Sequence, residues 1–344
     1  LLHWSGASLL NTANNERQTA TGQLPKIFLP DMARPRYLAL TGGVGGAKLA
    51  LGLSKLLPPG ELAFVVNTGD DFTHLGLHIS PDLDTLVYTL SGESNPETGW
   101  GRRAESWRFM EALEALGGET WFRLGDRDLA MHVERSRRLH TGETLTRVTA
   151  ALASALGVGH TILPMSDEPV STLVQTADGV MDFQHYFVRE RCQPVVTGFE
   201  FRGADEARIN PVILEWLDDP GLRGVILCPS NPFVSIDPIL QVAGMRSHLS
   251  HCAARVIAVS PVVGGAAIKG PTVKMMHELS VPGSADWVAG HYRDVLQGFV
   301  LDQVDTGLRT TIAAMKLEVA VTQTVMNSLA DRIHLARACL DLIG

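Results

Sequence analysis

Four glycines stand close together between an apolar run and an amphipathic one. From position 38 the chain reads LALTGGVGGAKLAL, and its glycines are Gly42, Gly43, Gly45 and Gly46. Glycine allows backbone N–H groups to turn toward a phosphate and lets that phosphate approach without a Cβ in the way. The loop also opens a predicted helix, whose N-terminus favours anions. We therefore predict a phosphate site here. The alternative is a tight strand-to-helix turn that needs glycine only for packing.

The spacing of this glycine loop fits neither of two common nucleotide-binding motifs. In a P-loop the last glycine directly precedes the lysine, whereas Ala47 separates Gly46 from Lys48 in this chain. A dinucleotide site has an acidic residue at the end of the second strand to bind the ribose, and Asn67 stands there instead. The loop thus indicates a phosphorylated ligand held in a different way.

Four carboxylates follow the next apolar run within fifteen positions: Asp70, Asp71, Asp82 and Asp84. Each pair has an ordinary explanation, since adjacent aspartates are common in solvated turns and acidic residues favour the first turn of a helix. Opposite a phosphate loop, however, the four together predict a divalent-ion site. Magnesium is the natural candidate because it binds one or two carboxylates together with substrate phosphates and water. His74 and His78 lack thiol partners, so we do not predict zinc.

Two arginines flank a glycine turn in the segment 121–129, WFRLGDRDL. Arg123 and Arg127 alternate there with Asp126 and Asp128. Such mixtures are often helix-capping ion pairs of little energetic value. At a strand end the arginines could instead hold a phosphate or carboxylate with two hydrogen bonds. The spacing leaves both interpretations open.

The totals describe an ordinary soluble enzyme. The chain has 344 residues, of which 45 % are hydrophobic and 19 % charged, enough for one large α/β domain or two smaller ones. Its net charge of −8 argues against a nucleic-acid or anionic-membrane partner. The four cysteines are scattered singly, which is typical of buried thiols in a reducing compartment. We expect a cytoplasmic protein without a membrane span, and we expect residues 1–35 to be a disordered leader.

From position 36 to 344 strand-like runs alternate with amphipathic segments. This pattern predicts an α/β domain with a doubly wound, mostly parallel, Rossmann-like sheet. Two neighbouring runs break the alternation and predict an inserted antiparallel hairpin of 180–189 with 194–201. The predicted strands are 37–40, 62–67, 121–124, 161–163, 224–228, 255–260 and 319–322. The predicted helices are 47–57, 82–90, 104–116, 127–139, 143–156, 236–244 and 326–343.

The residues that could do chemistry fall just after predicted strands. In parallel sheets ligands bind beyond the carboxyl ends of the strands, so these loops should converge on one rim. The five loops are 41–48, 67–71, 124–128, 229–232 and 261–265.

With these loops the chain resembles the CofD family, the 2-phospho-L-lactate transferases of coenzyme F-420 biosynthesis. The matching motifs occur in the family's order between positions 37 and 274. They are LTGGVGGAK from position 40, VNTGDD from 66, ISPDLDT from 79, LGDRDLA from 124, CPSNP from 228 and SPVVGG from 260.

The resemblance implies a magnesium-dependent reaction. Fo, a deazaflavin with a ribityl chain, would receive a phosphorylated three-carbon acid from a guanosine-diphosphate-activated donor, and GMP would leave. The acid would be 2-phospholactate in archaeal members, and phosphoenolpyruvate or 3-phosphoglycerate in bacterial relatives. Symmetric dimers are also common among soluble proteins, and the resemblance points the same way, so we expect a homodimer.

The resemblance also assigns site residues. Asp84, Arg123 and Arg127 match Fo-binding positions, and Asp84, Asp70 and Arg127 would be catalytic. Asp70 and Asp84 are the best candidates for metal ligands, whereas Asp128→Asn should have much less effect if Asp128 only caps a helix. The expected nucleotide-binding residues are Gly42, Gly43, Gly45, Gly46, Lys48, Asn67, Ser230 and Asn231.

Two other classes of protein share parts of this pattern. Nucleotide-sugar-binding regulators of the same superfamily resemble the chain in the glycine loop but differ after it. A nicotinamide dehydrogenase is disfavoured by Asn67 and by the additional carboxylates. The segments PDLDT from position 81 and LGDRD from position 124 favour the transferase.

Overall fold

The computed structural model describes residues 36–96 and 100–344, so the predicted leader lies outside the described residues. The strands are β1 (Arg36–Thr41), β2 (Leu62–Val66), β3 (Phe72–His74), β4 (Leu77–Ile79), β5 (Thr161–Pro164), β6 (Ser171–Thr176), β7 (Gly179–Asp182), β8 (Val196–Arg202), β9 (Leu222–Leu227), β10 (Arg255–Val259), β11 (Val262–Val263), β12 (Ala266–Ala267), β13 (Gly298–Asp302) and β14 (Glu318–Thr322).

Helices connect most of these strands, as short parallel crossovers require. They are α1 (Gly43–Ser54), α2 (Pro81–Ser91), α3 (Arg108–Ala115), α4 (Asp126–His140), α5 (Leu145–Ala155), α6 (Pro211–Leu217), α7 (Asp237–Gln241), α8 (Met245–His251), α9 (Thr272–Glu278), α10 (Ala285–His291), α11 (Arg309–Ala313) and α12 (Leu329–Ile343). Single turns of π-helix cover His185–Arg189 and Pro232–Ile236, and a 3₁₀ segment covers Gln303–Leu308. No helix of the described residues is long and apolar enough to cross a membrane.

The central sheet is parallel and has the strand order β14-β13-β10-β9-β1-β2-β5. Side chains alternate across it, so that Leu38 and Leu40 enter the core on one face and Ala39 enters the core on the other. Hydrophobic cores on both faces are what a doubly wound sheet needs. The predicted fold class is therefore confirmed.

Strand order reverses at β1, which lies between β2 and β9. The strands that follow β1 in the sequence, β2 and β5, lie on one side of it. The later strands, beginning with β9, lie on the other side. In such sheets the loops after the two strands at the reversal separate and leave a crevice. The loops concerned are the glycine loop after β1 and the segment 228–232 after β9.

The predicted strand 121–124 is wrong, because this segment is irregular backbone between α3 and α4. Its aromatic residues serve another purpose. Phe122 packs edge-on against Phe72, with ring centroids 4.9 Å apart, and Trp121 lies 5.1 Å from the His74 ring. The apolar run thus belongs to an aromatic cluster beside the sheet, and β2 pairs with β1 on one side and with β5 on the other.

The predicted hairpin is also wrong in its pairing. The inserted sheet has the order β7-β6-β8, so β6 lies between the two runs that were expected to pair. A turn of two residues, Ala177 and Asp178, joins β6 to β7, which begins at Gly179. Residues 185–189 turn away as a π-helix. Among the strands of the large sheet, β13 was not predicted.

Helix α1 packs closely on α12, and Gly52 makes that approach possible. A Cβ at Gly52 would overlap the backbone carbonyl of Arg332. We predict that Gly52→Ala lowers the free energy of unfolding by about 1–3 kcal/mol, since a fixed backbone atom must move. Gly307→Ala is the control because it meets no atom within 4 Å. Chemical denaturation of the two variants should separate them, and equal stability would contradict this packing.

Candidate active site

A cavity of about 630 Å³ opens at the carboxyl ends of β1 and β9. Residues from all five predicted loops line it, including the loop that follows no strand. The loops contribute Gly42, Gly43, Gly45 and Lys48; Asp70; Asp128; Pro229, Ser230 and Asn231; and Pro261. The prediction that these loops meet at one rim is therefore confirmed.

Two constraints explain the glycine loop. Gly43 adopts a φ of +62°, a left-handed conformation that glycine tolerates best. A Cβ at Gly46 would overlap the side chains of Thr41 and Ser230, and Gly46 itself does not line the cavity. Packing therefore accounts for Gly46, whereas the left-handed turn at Gly43 directs its N–H to a carboxylate of the protein. That N–H donates to Asp82 Oδ1 at 2.6 Å.

The loop after β9 is tied directly to the glycine loop. Ser230 Oγ donates to the carbonyl of Gly42 at 2.8 Å and accepts from its N–H at 3.3 Å. Asn231 Oδ1 accepts from the N–H of Phe233 and begins the following helical turn. Lys48 Nζ donates to the carbonyl of Met326, and burial lowers the pKa of this lysine. These contacts hold the two walls of the crevice in register.

A buried amide links two carboxylates behind the glycine loop. Asn67 Nδ2 lies 2.8 Å from Asp70 Oδ1 and 3.0 Å from Asp82 Oδ2, and Asn67 Oδ1 accepts from the N–H of Gly69. Gln184 Nε2, which comes from the inserted sheet, donates to Asp70 Oδ2 at 3.2 Å. Asn67 is fully buried and does not line the cavity. Its contacts orient the carboxylates.

The charge of these two carboxylates is not balanced by the protein. Neither Asp70 nor Asp82 has an ion pair with a basic side chain of the described residues. Burial, together with the charges of Asp82 and Asp71, raises the pKa of Asp70 well above its ordinary value. Burial likewise raises the pKa of Asp82 to about 6. Two buried, unneutralised carboxylates beside a phosphate loop fit a hard divalent cation.

The described residues offer no cluster of three or more His, Cys, Asp or Glu side chains for a metal ion. A cation here would therefore need oxygen ligands from a substrate or from water. Magnesium is often bound in this way, with one or two carboxylates and the oxygens of phosphates.

Asp84 is in a different electrostatic position. Both of its carboxylate oxygens accept hydrogen bonds from Arg135, with Nη1 3.1 Å from Oδ2 and Nη2 on Oδ1. Arg135 is about 1 % exposed and is not among the residues that line the cavity. Asp84 lines the cavity as a carboxylate that the protein itself neutralises.

The turn from 123 to 128 separates into distinct roles. Arg123 lines the cavity and stacks over Trp107, 4.1 Å from the ring centroid. Arg127 is half exposed and lies 3.9 Å from Glu93, outside the residues that line the cavity. Asp126 Oδ1 accepts from the N–H of Phe109 at the start of α3.

Of the two interpretations left open for this turn, helix capping does not apply to the Asp128 side chain. Glu105 accepts from the backbone N–H groups of Arg127 and Asp128 and so occupies the start of α4. The Asp128 side chain is buried and accepts from Tyr88 Oη at 2.6 Å. It therefore belongs to an internal polar network.

Aromatic residues form one wall of the same cavity. Trp121, Phe122, Phe183 and Phe187 line it. Trp121 stacks on His185 of the inserted sheet, with ring centroids 4.6 Å apart, and Phe183 stacks on Phe187 at 5.4 Å. Flat aromatic ligands are favoured by such surfaces.

Sequence reasoning missed several residues that the structure brings to this site: Tyr88, His132, Arg135 and Gln184. A signal existed for part of the set. Asp128, His132 and Arg135 are spaced four and three residues apart and so share one face of α4. Gln184 carried no signal, because its place depends on how the inserted sheet packs.

The glycine loop, the carboxylates and the aromatic wall together define an α/β protein whose cavity has a polar part and an aromatic part. A family model described as "2-phospho-L-lactate transferase CofD" matches residues 38–329. Over 299 residues the chain is 38% identical to the 2-phospho-L-lactate transferase of Methanosarcina mazei, covering 87% of this chain and 97% of that protein. The chain therefore belongs to the CofD family, as its motifs predicted, and is a transferase.

Bacterial members are equally similar. The chain is 37% identical over 313 residues to the phosphoenolpyruvate transferase of Streptomyces griseus, covering 89% of this chain and 98% of that protein. A solved protein of the UPF0052 family from Bacillus halodurans shares the fold, with a TM-score of 0.57 at 12% identity, covering 89% of this chain and 99% of that one. This last likeness concerns the fold alone.

The carboxylate pair predicts an unusual stability effect. Because the folded-state pKa of Asp82 is about 6, above its ordinary 3.8, folding takes up protons in that window. The folding stability of the metal-free protein should therefore fall as the pH rises toward 6. Well above pH 6, where Asp82 is fully ionised, no further loss from this group is expected. Asp70→Asn removes one charge, and Gln184 can rotate its amide to accept from the new NH₂ group.

We predict that Asp70→Asn raises the metal-free melting temperature at pH 8 by on the order of a few degrees. The variant should also lose most of the melting-temperature rise that Mg²⁺ causes in the wild type. The exposed Asp178→Asn is the control. A destabilised Asp70→Asn that keeps the full magnesium response would show that this pair does not bind the cation.

Proposed function

We propose that this transferase moves a phosphorylated three-carbon acid from a guanosine-diphosphate-activated donor onto the deazaflavin Fo, in coenzyme F-420 biosynthesis. The observation that carries the proposal is the division of one cavity into two parts. The glycine loop and the carboxylates form a polar part, and the aromatic wall forms an apolar part. A nucleotide diphosphate and a flat tricyclic ring would each find a matching surface, with the reacting groups between them.

The bond changes follow from the two substrates. The ribityl hydroxyl oxygen of Fo attacks the phosphorus that carries the three-carbon acid, and a new P–O bond forms. The P–O bond to the GMP phosphate breaks, so GMP leaves with the bridging oxygen, and the hydroxyl proton is released. The product is a phosphodiester. Such transfers depend mainly on positioning and on neutralising charge, so no covalent nucleophile is needed.

Nucleotide binding is assigned to the loops at the strand-order reversal. The glycine loop and the side chains of Lys48, Ser230 and Asn231 would hold the diphosphate and its nucleoside. Asn67 would act indirectly, since it orients Asp70 and Asp82. The contacts between Ser230 and Gly42 fix the distance between the two loops.

A magnesium ion would be held by Asp70 and Asp82, whose buried charges lack a protein partner. When bound, it would supply positive charge to the diphosphate and so stabilise the departure of GMP. Asp84, the other expected ligand, already has Arg135 as its partner. We therefore assign Asp84 to the acceptor, where its carboxylate would accept a hydrogen bond from the ribityl hydroxyl and orient it.

Arg123 and Arg127 are assigned to the acceptor side. Arg123 lines the cavity and would contact Fo directly. Arg127 is held near Glu93 in this structure, so its contact with Fo would need that side chain to turn. A homodimer and a cytoplasmic location stay predictions.

The reaction is tested by supplying Fo, Mg²⁺ and guanylylated lactyl, enolpyruvyl and glyceryl donors separately, with products identified by mass. We expect a phosphodiester product and GMP with one of these donors, and none after chelation of Mg²⁺. Relatives carry both phospholactate and phosphoenolpyruvate transferase names, so the comparison also identifies the acid. Absence of product with all three donors would contradict the proposal.

The aromatic wall gives a separate prediction for the acceptor. Trp121→Leu should raise the Kd of Fo by about three- to tenfold, because stacking with an aromatic ring is worth about 0.5–1.5 kcal/mol. Deazaflavin fluorescence measures this Kd directly, and GDP affinity should not change. Leu116→Ala, at an exposed site in another loop, is the control. If Trp121→Leu bound Fo as tightly as the wild type does, the deazaflavin ring would not stack on Trp121.

A further inference from the structure

A buried polar network lies behind Asp84 and takes no part in the substrate contacts assigned above. It consists of Tyr88, Asp128, His132 and Arg135, whose residues are between 1 and 8 % exposed. Burying ionic groups is costly unless each is paired and hydrogen-bonded. A network of this size within the wall of a cavity therefore needs a reason beyond stability.

Arg135 connects the network to the cavity. Its two Nη atoms donate to the two oxygens of Asp84 in a planar, two-bond arrangement, which fixes the plane of the carboxylate as well as its position. Arg135 Nη1 also lies 3.3 Å from His132 Nδ1 and 3.4 Å from the carbonyl oxygen of His78. The guanidinium is thus held from several sides.

His132 lies between Arg135 and a second carboxylate, that of Asp128. His132 Nδ1 faces Arg135 Nη1, and it also lies 3.6 Å from Asp84 Oδ2. Nε2 lies 3.4 Å from Asp128 Oδ1. Tyr88 Oη donates to the same oxygen at 2.6 Å. The network therefore runs from Tyr88 through Asp128 and His132 to Arg135, and ends at Asp84.

The start of α4 anchors the far end. Glu105 accepts from the backbone N–H groups of Arg127 and Asp128, at 2.8 and 2.9 Å, and so holds the first turn of the helix. Asp128, His132 and Arg135 lie on one face of that helix, which fixes their separation. The rigid helix and the planar pairing together leave the Asp84 carboxylate few orientations.

We propose that Arg135 is a positioning residue for the acceptor: with His132, Asp128 and Tyr88 behind it, it sets the orientation in which Asp84 meets the ribityl hydroxyl. This inference rests on the proposed function, because it needs Asp84 to face Fo. The positioning role of Arg135 differs from a purely structural role, because positioning requires two parallel hydrogen bonds to Asp84. Positive charge alone would not be sufficient. Lysine can supply the charge but not the planar pair.

The test compares Arg135→Lys and Arg135→Gln with Arg137→Gln, an exposed arginine on the same helix that pairs with Glu134. We expect kcat to fall on the order of tenfold for Arg135→Lys and a hundredfold for Arg135→Gln, because a small misplacement of a reacting group has effects of this size. The Kd of Fo, measured by fluorescence, should rise in both variants. The Kd of GDP should stay within about twofold, and Arg137→Gln should match the wild type.

Two further variants separate positioning from folding. Tyr88→Phe removes one hydroxyl at the end of the network and should lower kcat severalfold without a large change in melting temperature. Asp84→Asn with Arg135→Gln removes both charges of the pair. This double variant should be no slower than Asp84→Asn alone, because Arg135 has nothing left to orient.

Each outcome has a distinct meaning. Additive losses in the double variant, or a parallel loss of Fo and GDP binding, would show that Arg135 only supports the fold and would overturn the inference. Wild-type kinetics in Arg135→Lys would overturn the requirement for a planar pair. A wild type that neither binds Fo nor forms product would instead contradict the proposed function, and this inference with it.

Discussion

The structure of the site depends on the burial of like charges. Asp70 and Asp82 approach the same amide group of Asn67, and Asp82 also accepts from the N–H of Gly43. Burial of two carboxylates without a cation is unfavourable, as their raised pKa values show. The fold tolerates this cost because the core on both faces of the sheet supplies the stability. In the proposed function, this unbalanced charge would bind a cation together with an anionic substrate.

Topology explains why these groups meet. The glycine loop follows β1, the Asn67 segment follows β2 and the Ser230 segment follows β9, and β1 lies between the other two strands. Each loop leaves the sheet at the same edge, so residues from distant parts of the sequence converge there. The inserted sheet then closes one side, with Gln184 reaching Asp70 and the His185 ring stacking on Trp121. The insertion therefore belongs to the site as well as to the fold.

Much of this arrangement could be predicted from sequence, and the failures have physical causes. Strand–helix alternation identified the sheet, because apolar runs bounded by glycine and proline are local signals. The strand predicted at 121–124 was wrong because aromatic residues are common both in strands and in side-chain clusters. Only tertiary packing decides which of the two structures such a segment forms. For Asp128 the sequence left a capping role open, and the structure decides against it because Glu105, distant in sequence, already fills that role. Pairing partners such as Asp84 and Arg135 cannot be read from spacing alone.

The two groups of carboxylates show how one cavity can treat the same side chain differently. Asp84 receives a guanidinium from within the protein, so its charge and orientation are settled before any ligand arrives. Asp70 and Asp82 receive only neutral donors, Asn67, Gln184 and the Gly43 amide, so no basic side chain of the described residues balances their charge. A preorganised carboxylate suits an uncharged hydroxyl, whose binding brings no charge to compensate. An uncompensated pair suits a diphosphate, because the cation that neutralises the pair also neutralises the ligand. In the proposed function, this difference in electrostatics would separate the acceptor from the donor within a single crevice.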